Sequence, residues 1–180
     1  MKYIKLYEEF LNEARMSAAQ SWLTDYFNAV MTNAESNYFV DLEKLQIDMF
    51  SSIKNPIDTK YIDEYVEHSK WNSKRHIGIA KKADKKKNEL LKELPEILKS
   101  NPDVEKAIPI AERAAELKGK YDIQFIRSKY EEYAKDNLTT DTTDLKNILK
   151  VTDAYHKEFE AGKKELEKAQ KEYENTLNTL

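Results

Sequence analysis

The stretch Leu145 to Leu180, LKNILKVTDAYHKEFEAGKKELEKAQKEYENTLNTL, carries the most regular hydrophobic pattern in the chain. Mostly apolar or small residues recur there every seven positions, and a second series follows three residues after the first. The first series is Leu145, Thr152, Phe159, Leu166, Tyr173 and Leu180, and the second is Ile148, Tyr155, Gly162, Ala169 and Thr176. The spacing predicts one long helix with a coiled-coil-like seam along one face.

The seam needs a neighbouring helix to cover it. Small side chains at Gly162 and Ala169 predict that this neighbour approaches closely. The segment from Asp58 to Leu94 is long enough to be an antiparallel mate, and we expect it to fill that place. Self-association of two chains through the same seam is the competing arrangement.

The composition favours helices throughout the chain. With 180 residues, of which 40% are hydrophobic, the chain is long enough for one domain with a real core. Charged residues make up 35%, against three glycines and four prolines, which is typical of long solvated helices and not of sheets with many turns. We therefore predict an all-α fold, an elongated helical bundle with long antiparallel helices.

The other apolar residues repeat at helical spacing between proline, glycine and polar turns. The first expected helix runs from a cap at Ser17 to a stop at Asn55-Pro56, and the second from a cap at Asp58 to Leu94, with Pro95 ending it. The third runs from Ala107 to Leu117, with Gly119 as the C′ residue, and the fourth from Asp122 to Lys135. Asp141 and Asp144 have the spacing of a capping box. Ser69, Asn72 and His76 weaken the apolar stripe of the second helix, which predicts a kink or a packing gap near Gly78.

The residues that carry catalysis or bind cofactors are scarce. The absence of cysteine excludes disulfides, thiol nucleophiles and cysteine-ligated zinc. Three isolated glycines cannot build a phosphate-binding loop, and His68, His76 and His156 are not arranged as paired Glu-x-x-His metal motifs. No apolar run approaches the about 18 residues that span a membrane. We expect no catalytic residue, cofactor, metal ion or membrane contact.

One strongly basic stretch stands out against a net charge of −3. Eight basic residues and one acid lie between Lys70 and Lys87, a local charge of +7 that leaves −10 on the rest of the chain. At about 100° per residue nearly all of them fall on one side of a helix, with Trp71 among them. An exposed tryptophan forfeits a large gain from burial unless it packs on a partner or under basic side chains. The predicted contact site is Lys70, Trp71, Lys74, Arg75 and Lys82.

The opening segment MKYIKLYEEFLNEARM is a short amphipathic helix pattern that ends in Leu-Asn-Glu-Ala. Its residues EEFLNEA resemble the capsid-targeting peptides of internal head proteins in large tailed bacteriophages. In that family such a peptide takes the protein into the assembling prohead, where the prohead protease cuts after the glutamate of a Leu/Ile-x-Glu triplet. The resemblance covers about the first 15 residues and implies nothing about the fold of the rest.

The resemblance implies a role for four residues. Phe10 and Leu11 match the hydrophobic pair, Glu13 matches the cleaved residue and Ala14 the new N-terminus. The chain would then divide into a cleavable targeting peptide, residues 1–13, and a single helical domain, residues 14–180. Five further triplets match the same short pattern: Leu6-Tyr7-Glu8, Ile62-Asp63-Glu64, Leu91-Lys92-Glu93, Leu94-Pro95-Glu96 and Ile110-Ala111-Glu112.

The expected function follows from this resemblance and from the scarcity of catalytic residues. We expect a virion protein that lies inside the phage head with the prohead protease and core proteins. It would enter the host cytoplasm with the DNA and bind or inhibit a host protein without catalysis. The first alternative is a structural component of the prohead scaffold core, which would be cut repeatedly. The second is a nucleic-acid-binding protein that uses the basic face.

Overall fold

The computed structural model describes residues 16–121 and 127–180, including all of their side chains except those of 127–130. These residues form five helices and no strand, with one isolated β-bridge between Pro56 and Thr139. The helices are α1 (Ala18–Ser51), α2 (Thr59–Ser100), α3 (Val104–Tyr121), α4 (Arg127–Asn137) and α5 (Thr142–Thr179). The prediction of an all-α helical bundle is confirmed.

The first helix begins where its sequence predicts. The Ser17 hydroxyl accepts the Gln20 backbone N–H at 3.1 Å, and the Gln20 side-chain oxygen accepts the Ser17 N–H at 2.8 Å. This reciprocal capping box satisfies two backbone donors that a helix start leaves without partners. Residues before Ser17 therefore supply neither side chain of the cap.

Helices α1 and α2 form an antiparallel pair. Near the start of α1, the Trp22 indole N–H donates to the Leu90 carbonyl at 3.0 Å, late in α2. Near its end, the Phe50 ring lies 4.4 Å from that of Tyr65, early in α2. The turn between them ends at Asp58, whose carboxylate accepts the Tyr61 N–H at 3.2 Å and caps α2 as predicted.

The mate of the α5 seam is α3, so the prediction that residues 58–94 cover the seam is wrong. Arg113 and Lys120 of α3 form ion pairs with Glu165 (3.1 Å) and Glu158 (2.5 Å) of α5, which sets the two helices antiparallel. In the described chain no Cα atom of α5 comes within 8 Å of a Cα atom of α2. Every residue of the predicted seam is buried or partly buried within the chain itself.

The reason α3 takes this place is its narrow apolar face. The buried residues of α3 are small or short: Val104, Ala107, Ala111, Ala114, Ala115 and Gly119. Alanine keeps the full helix propensity and adds little width, so α3 can contact both α1 and α5. A heptad seam specifies which face is covered, but it does not specify which helix covers it.

Two predicted helix ends are also wrong. Pro95 lies inside α2, which continues to Ser100, because Ile97 and Leu98 beyond it pack against the core and offset the lost backbone hydrogen bond. Gly119 lies inside α3 and has no positive φ, so it is not a C′ residue. Pro109 also lies within continuous α3. The helix predicted from Asp122 begins, in the described residues, with α4 at Arg127.

The predicted capping box at the start of α5 is half present. The Asp141 carboxylate accepts the N–H groups of Thr143 and Asp144, as an N-cap does. Asp144 does not return the bond, because its buried carboxylate accepts the Lys54 N–H at 2.9 Å and the Asn55 N–H at 3.3 Å. This side chain therefore ties the turn after α1 to the start of α5.

Two hydrophobic cores lie at opposite ends of α1. The larger core contains Trp22, Leu23 and Tyr26 of α1 together with the alanines of α3. The smaller core contains Met49 and Phe50 with residues of α2, α4 and α5. The predicted gap in the middle of α2 is closed, because Ser69 is buried and His76 stacks on Phe39 at 4.5 Å. The basic stretch lies along this middle part of α2.

Candidate partner-binding surface

Trp71 is exposed on the outer side of α2. Its relative exposure is 57%, whereas Trp22, the other tryptophan, is 4% exposed. On the same helix Ala80, Ala83 and Leu90 are buried, so the sequence-predicted helical phase is correct. Ile77, six residues after Trp71, is also exposed, at 41%. The middle of α2 therefore presents apolar surface to solvent.

Two neighbours on α2 hold the Trp71 ring. The Arg75 guanidinium lies 5.9 Å from the ring centroid, within the range of a cation–π contact. On the preceding turn the His68 ring lies 5.9 Å away, inclined by 24°. These contacts orient the indole without covering it. A pre-oriented aromatic side chain loses little entropy when it binds a partner.

The charges around Trp71 remain largely uncompensated. Lys70 donates to Glu67 at 2.6 Å, and this hydrogen bond holds the pKa of Glu67 below its usual value. Lys85 and Glu89 are 3.8 Å apart. Within the described residues, Lys74, Arg75, Lys81, Lys82, Lys86 and Lys87 have no acidic side chain within ion-pair distance. The two exposed ion pairs contribute little to stability, and the other six basic residues form none here, so all of these positive charges are available to an acidic partner.

A surface groove of about 450 Å³ runs beside Trp71 between α1 and α2. Ile47 of α1 forms one wall, and the other lining residues are Glu67, Lys70, Trp71, Ser73 and Lys74. The structure thus brings three of the predicted site residues to one groove and places Arg75 over the indole. Lys82 lies apart from it, beside a second groove of about 340 Å³ that also contains Asp25 and Ala29.

Sequence reasoning missed Ile47 and His68 in this surface. His68 precedes Trp71 by three residues, so the helical period alone could have placed it beside the indole. Ile47 carries no such signal, because its position depends on how α1 and α2 align. The predicted processing residues Phe10, Leu11, Glu13 and Ala14 lie outside the described residues.

Two further possibilities concern residues 16–121 and 127–180, a metal site and a membrane-spanning helix. No cluster of three or more histidine, aspartate or glutamate side chains in these ranges has a metal-binding arrangement. Among the helices formed by these residues, none is both long and apolar enough to cross a membrane.

No known family, curated protein or solved structure matches this chain.

Proposed function

We propose that this chain is an internal head protein of a large tailed bacteriophage. In this proposal it is packaged in the prohead, cleaved after Glu13 by the prohead protease and delivered to the host with the DNA. There it binds a host factor and obstructs it without catalysis. The proposal is supported by the EEFLNEA segment, which resembles capsid-targeting peptides, and by the exposed basic surface around Trp71.

The position of the Leu/Ile-x-Glu triplets carries the proposal. Four of them lie inside α2 or α3, where the backbone is helical. A protease binds its substrate in an extended form, so these four bonds are protected in the folded chain. The triplet Leu11-Asn12-Glu13 instead precedes Ser17, where α1 begins with its own cap. Among the six triplets, only Leu6-Tyr7-Glu8 and Leu11-Asn12-Glu13 lie before α1, so cleavage of the folded chain should be confined to this opening segment.

The binding role draws on the surface around Trp71. An exposed tryptophan, a neighbouring groove and uncompensated cations are the features that anchor protein contacts. Such a surface obstructs a partner by occupying it, which needs no catalytic group. An acidic host protein is the partner that fits its charge.

Mass spectrometry of purified virions tests the proposal in the phage that encodes this chain. We expect the protein to be present with Ala14 as its first residue. Glu13→Gln keeps the shape of the side chain and removes its charge, so processing should stall while packaging continues. Glu93→Gln, in the helical triplet Leu91-Lys92-Glu93, is the matched control and should be processed normally.

The other results each contradict the proposal in a specific way. Absence from virions would remove the head location, and efficient cleavage of the Glu13→Gln protein at the same bond would remove the assigned site. Several internal cuts in the wild-type chain would favour a scaffold core protein. Binding to the packaged genome that weakens steeply with added salt would favour a nucleic-acid-binding protein, since phosphate contacts release counterions.

A further inference from the structure

The three glycines of this chain lie within helices, and two of them have a clear structural reason. A Cβ atom on Gly119 would lie 2.5 Å from the Met31 carbonyl oxygen, so the absence of a side chain lets α3 contact the α1 backbone. A Cβ atom on Gly162 would overlap the Tyr121 ring. In both cases glycine allows a neighbouring element to come closer than any other residue would permit.

Gly78 has no such reason within residues 16–121 and 127–180. Apart from the backbone of its own helix, a Cβ atom there would have no heavy atom of these residues within 4 Å, so alanine would fit without a clash. Glycine in a helix interior is less stable than alanine, because its backbone loses more freedom on folding. Glycine at position 78 therefore lowers the stability of α2, and the packing of that helix does not require it.

The position of Gly78 links it to the surface around Trp71. Seven residues complete almost two helical turns, which places Gly78 on the same side of α2 as Trp71 and about 10 Å along the axis. Arg75 lies three residues before Gly78 and Lys82 four residues after it, again on this side. Gly78 thus forms a notch between basic side chains, with the indole at one end.

We propose that an acidic helix of a partner protein crosses α2 at Gly78. The partner backbone comes close at the notch, its apolar face packs on Trp71, and its carboxylates pair with Lys74 and Lys82. This inference rests on the binding role in the proposed function and names the chemistry of the partner. It does not depend on cleavage or on packaging.

The acidic residues at each end of the notch region favour a crossing helix over a nucleic acid. Glu64 and Glu67 precede the basic stretch and Glu89 follows it, all exposed on the same side of α2. From Glu67 to Glu89 the stretch is about 33 Å long, and a helix with its side chains is about 10 Å wide. A polyanion lying along α2 would meet these carboxylates, whereas a crossing helix contacts only the middle.

The presence of glycine at position 78 also favours a crossing helix over a nucleic acid. A phosphate chain gains from additional long cationic side chains, and glycine offers it none. Helices that cross closely need a small residue at the crossing point, and Gly119 already provides one where α3 meets α1 inside this molecule. Gly78 has the same property on a face that no helix of the described chain covers.

The test uses the full chain and two probes. One is an amphipathic helical peptide of about five turns, with glutamate on one face and alanine and leucine on the other. The other is a duplex DNA of similar length. Isothermal titration at physiological salt measures both. A change in tryptophan emission on binding reports contact with Trp71, because the other tryptophan, Trp22, is buried. The variants are Gly78→Ala, Gly78→Leu and, as a matched control, Asn88→Leu at another exposed position of α2.

We expect the wild-type chain to bind the peptide more tightly than DNA and to shift its tryptophan emission. Gly78→Ala should raise the melting temperature and weaken peptide binding, so that stability and affinity change in opposite senses. Gly78→Leu should weaken peptide binding by about tenfold or more, because a large side chain fills the notch. Asn88→Leu should bind like the wild type.

Several results would overturn the inference. These are no peptide binding, equal binding by wild type and Gly78→Leu, or tighter binding to DNA. Sedimentation that shows self-association, lost in Gly78→Leu, would assign the notch to a second copy of this chain. The proposed function fails separately: peptide binding together with absence of the protein from virions would leave the notch standing and remove the head-protein role.

Discussion

Two regions of this molecule use the same residue types in opposite ways. Where α1 meets its neighbours, Trp22 is buried with its indole N–H bonded, and Gly119 lets two backbones meet. On the outer face of α2, Trp71 is exposed, and a Cβ atom added to Gly78 would meet no other element of the described chain. In the first region the fold explains each residue. In the second the fold leaves a tryptophan and a glycine without a structural role, which is why the second region is the candidate binding surface.

The largest expected difference between the regions concerns the two tryptophans. Trp22→Ala should lower the free energy of unfolding by about 3–5 kcal/mol, through lost burial and the cavity left behind. Trp71→Ala should change it by less than about 0.5 kcal/mol, as surface substitutions generally do, while it abolishes partner binding. Urea unfolding followed by circular dichroism measures both. Similar losses for the two variants would mean that Trp71 is part of the core.

Alanine substitution should change the stability in opposite directions at Gly119 and at Gly78. Gly119→Ala places a methyl group against the α1 backbone, which cannot move like a side chain, so it should destabilise by about 1–3 kcal/mol. Gly78→Ala should stabilise by about 1 kcal/mol through helix propensity alone. Thermal unfolding of the two variants beside the wild type gives the comparison. A stabilised Gly119→Ala protein would show that α3 and α1 do not meet as closely as described.

A smaller effect is expected from the buried hydroxyl of Tyr26, which donates to the Glu112 carboxylate at 2.5 Å. Burial, and then this hydrogen bond, raise the pKa of Tyr26 above its ordinary value of 10.0. The folded state therefore keeps its proton where the unfolded state loses it. The stabilising contribution of this group should be constant below about pH 10 and should be lost as the pH rises above it.

Tyr26→Phe tests both parts of this expectation. At neutral pH the variant should lose about 1 kcal/mol, because the carboxylate of Glu112 loses its buried donor. Above pH 10 its stability should fall less steeply than that of the wild type, which unfolding curves between pH 8 and about 11 would reveal. Tyr38→Phe on α1 is a comparison, since burial raises the pKa of Tyr38 too but without the Glu112 bond. Identical slopes for Tyr26→Phe and the wild type would contradict the assignment.

The smallest effect is expected outside both regions. Deleting Met1 to Glu13 should leave the melting temperature nearly unchanged, because Ser17 and Gln20 cap α1 without help from earlier residues. Differential scanning calorimetry of the full and shortened chains measures this. A large drop would mean that Ile4, Tyr7 and Leu11 belong to the core and would argue against a separable targeting peptide.

The sequence predicted the faces of the helices better than their partners. The α5 seam and the outward phase of Trp71 follow from period alone, since burial of apolar residues decides which side turns inward. Which helix covers the seam depends on the width of the alanine face of α3 and on the loops. The hydrophobic pattern of α5 alone carries no information about either. Pro95 failed as a stop for a similar reason, because tertiary contacts of Ile97 and Leu98 outweigh a local preference.

The candidate surface was predictable to the same extent. Lys70, Trp71, Lys74 and Arg75 lie on one side of α2 because they are spaced three and four residues apart, and the structure brings them together. The groove wall at Ile47 depends on alignment between helices, so no local pattern could supply it. The sequence predicts a kink or gap near Gly78, because glycine destabilises a helix interior and its surroundings cannot be known from the sequence.

The tie between the two helix turns has a consequence for how the molecule opens. Asp144 holds the Lys54 and Asn55 amides, and the Leu138 carbonyl accepts the Ile57 N–H at 2.8 Å. These bonds join segments far apart in sequence and lie beside the smaller core, which contains Leu138. We therefore expect their loss to free that end while the larger core stays packed, so that the two cores unfold as separate units. Amides at the tie should exchange with solvent through local opening, and those around Trp22 only through global unfolding.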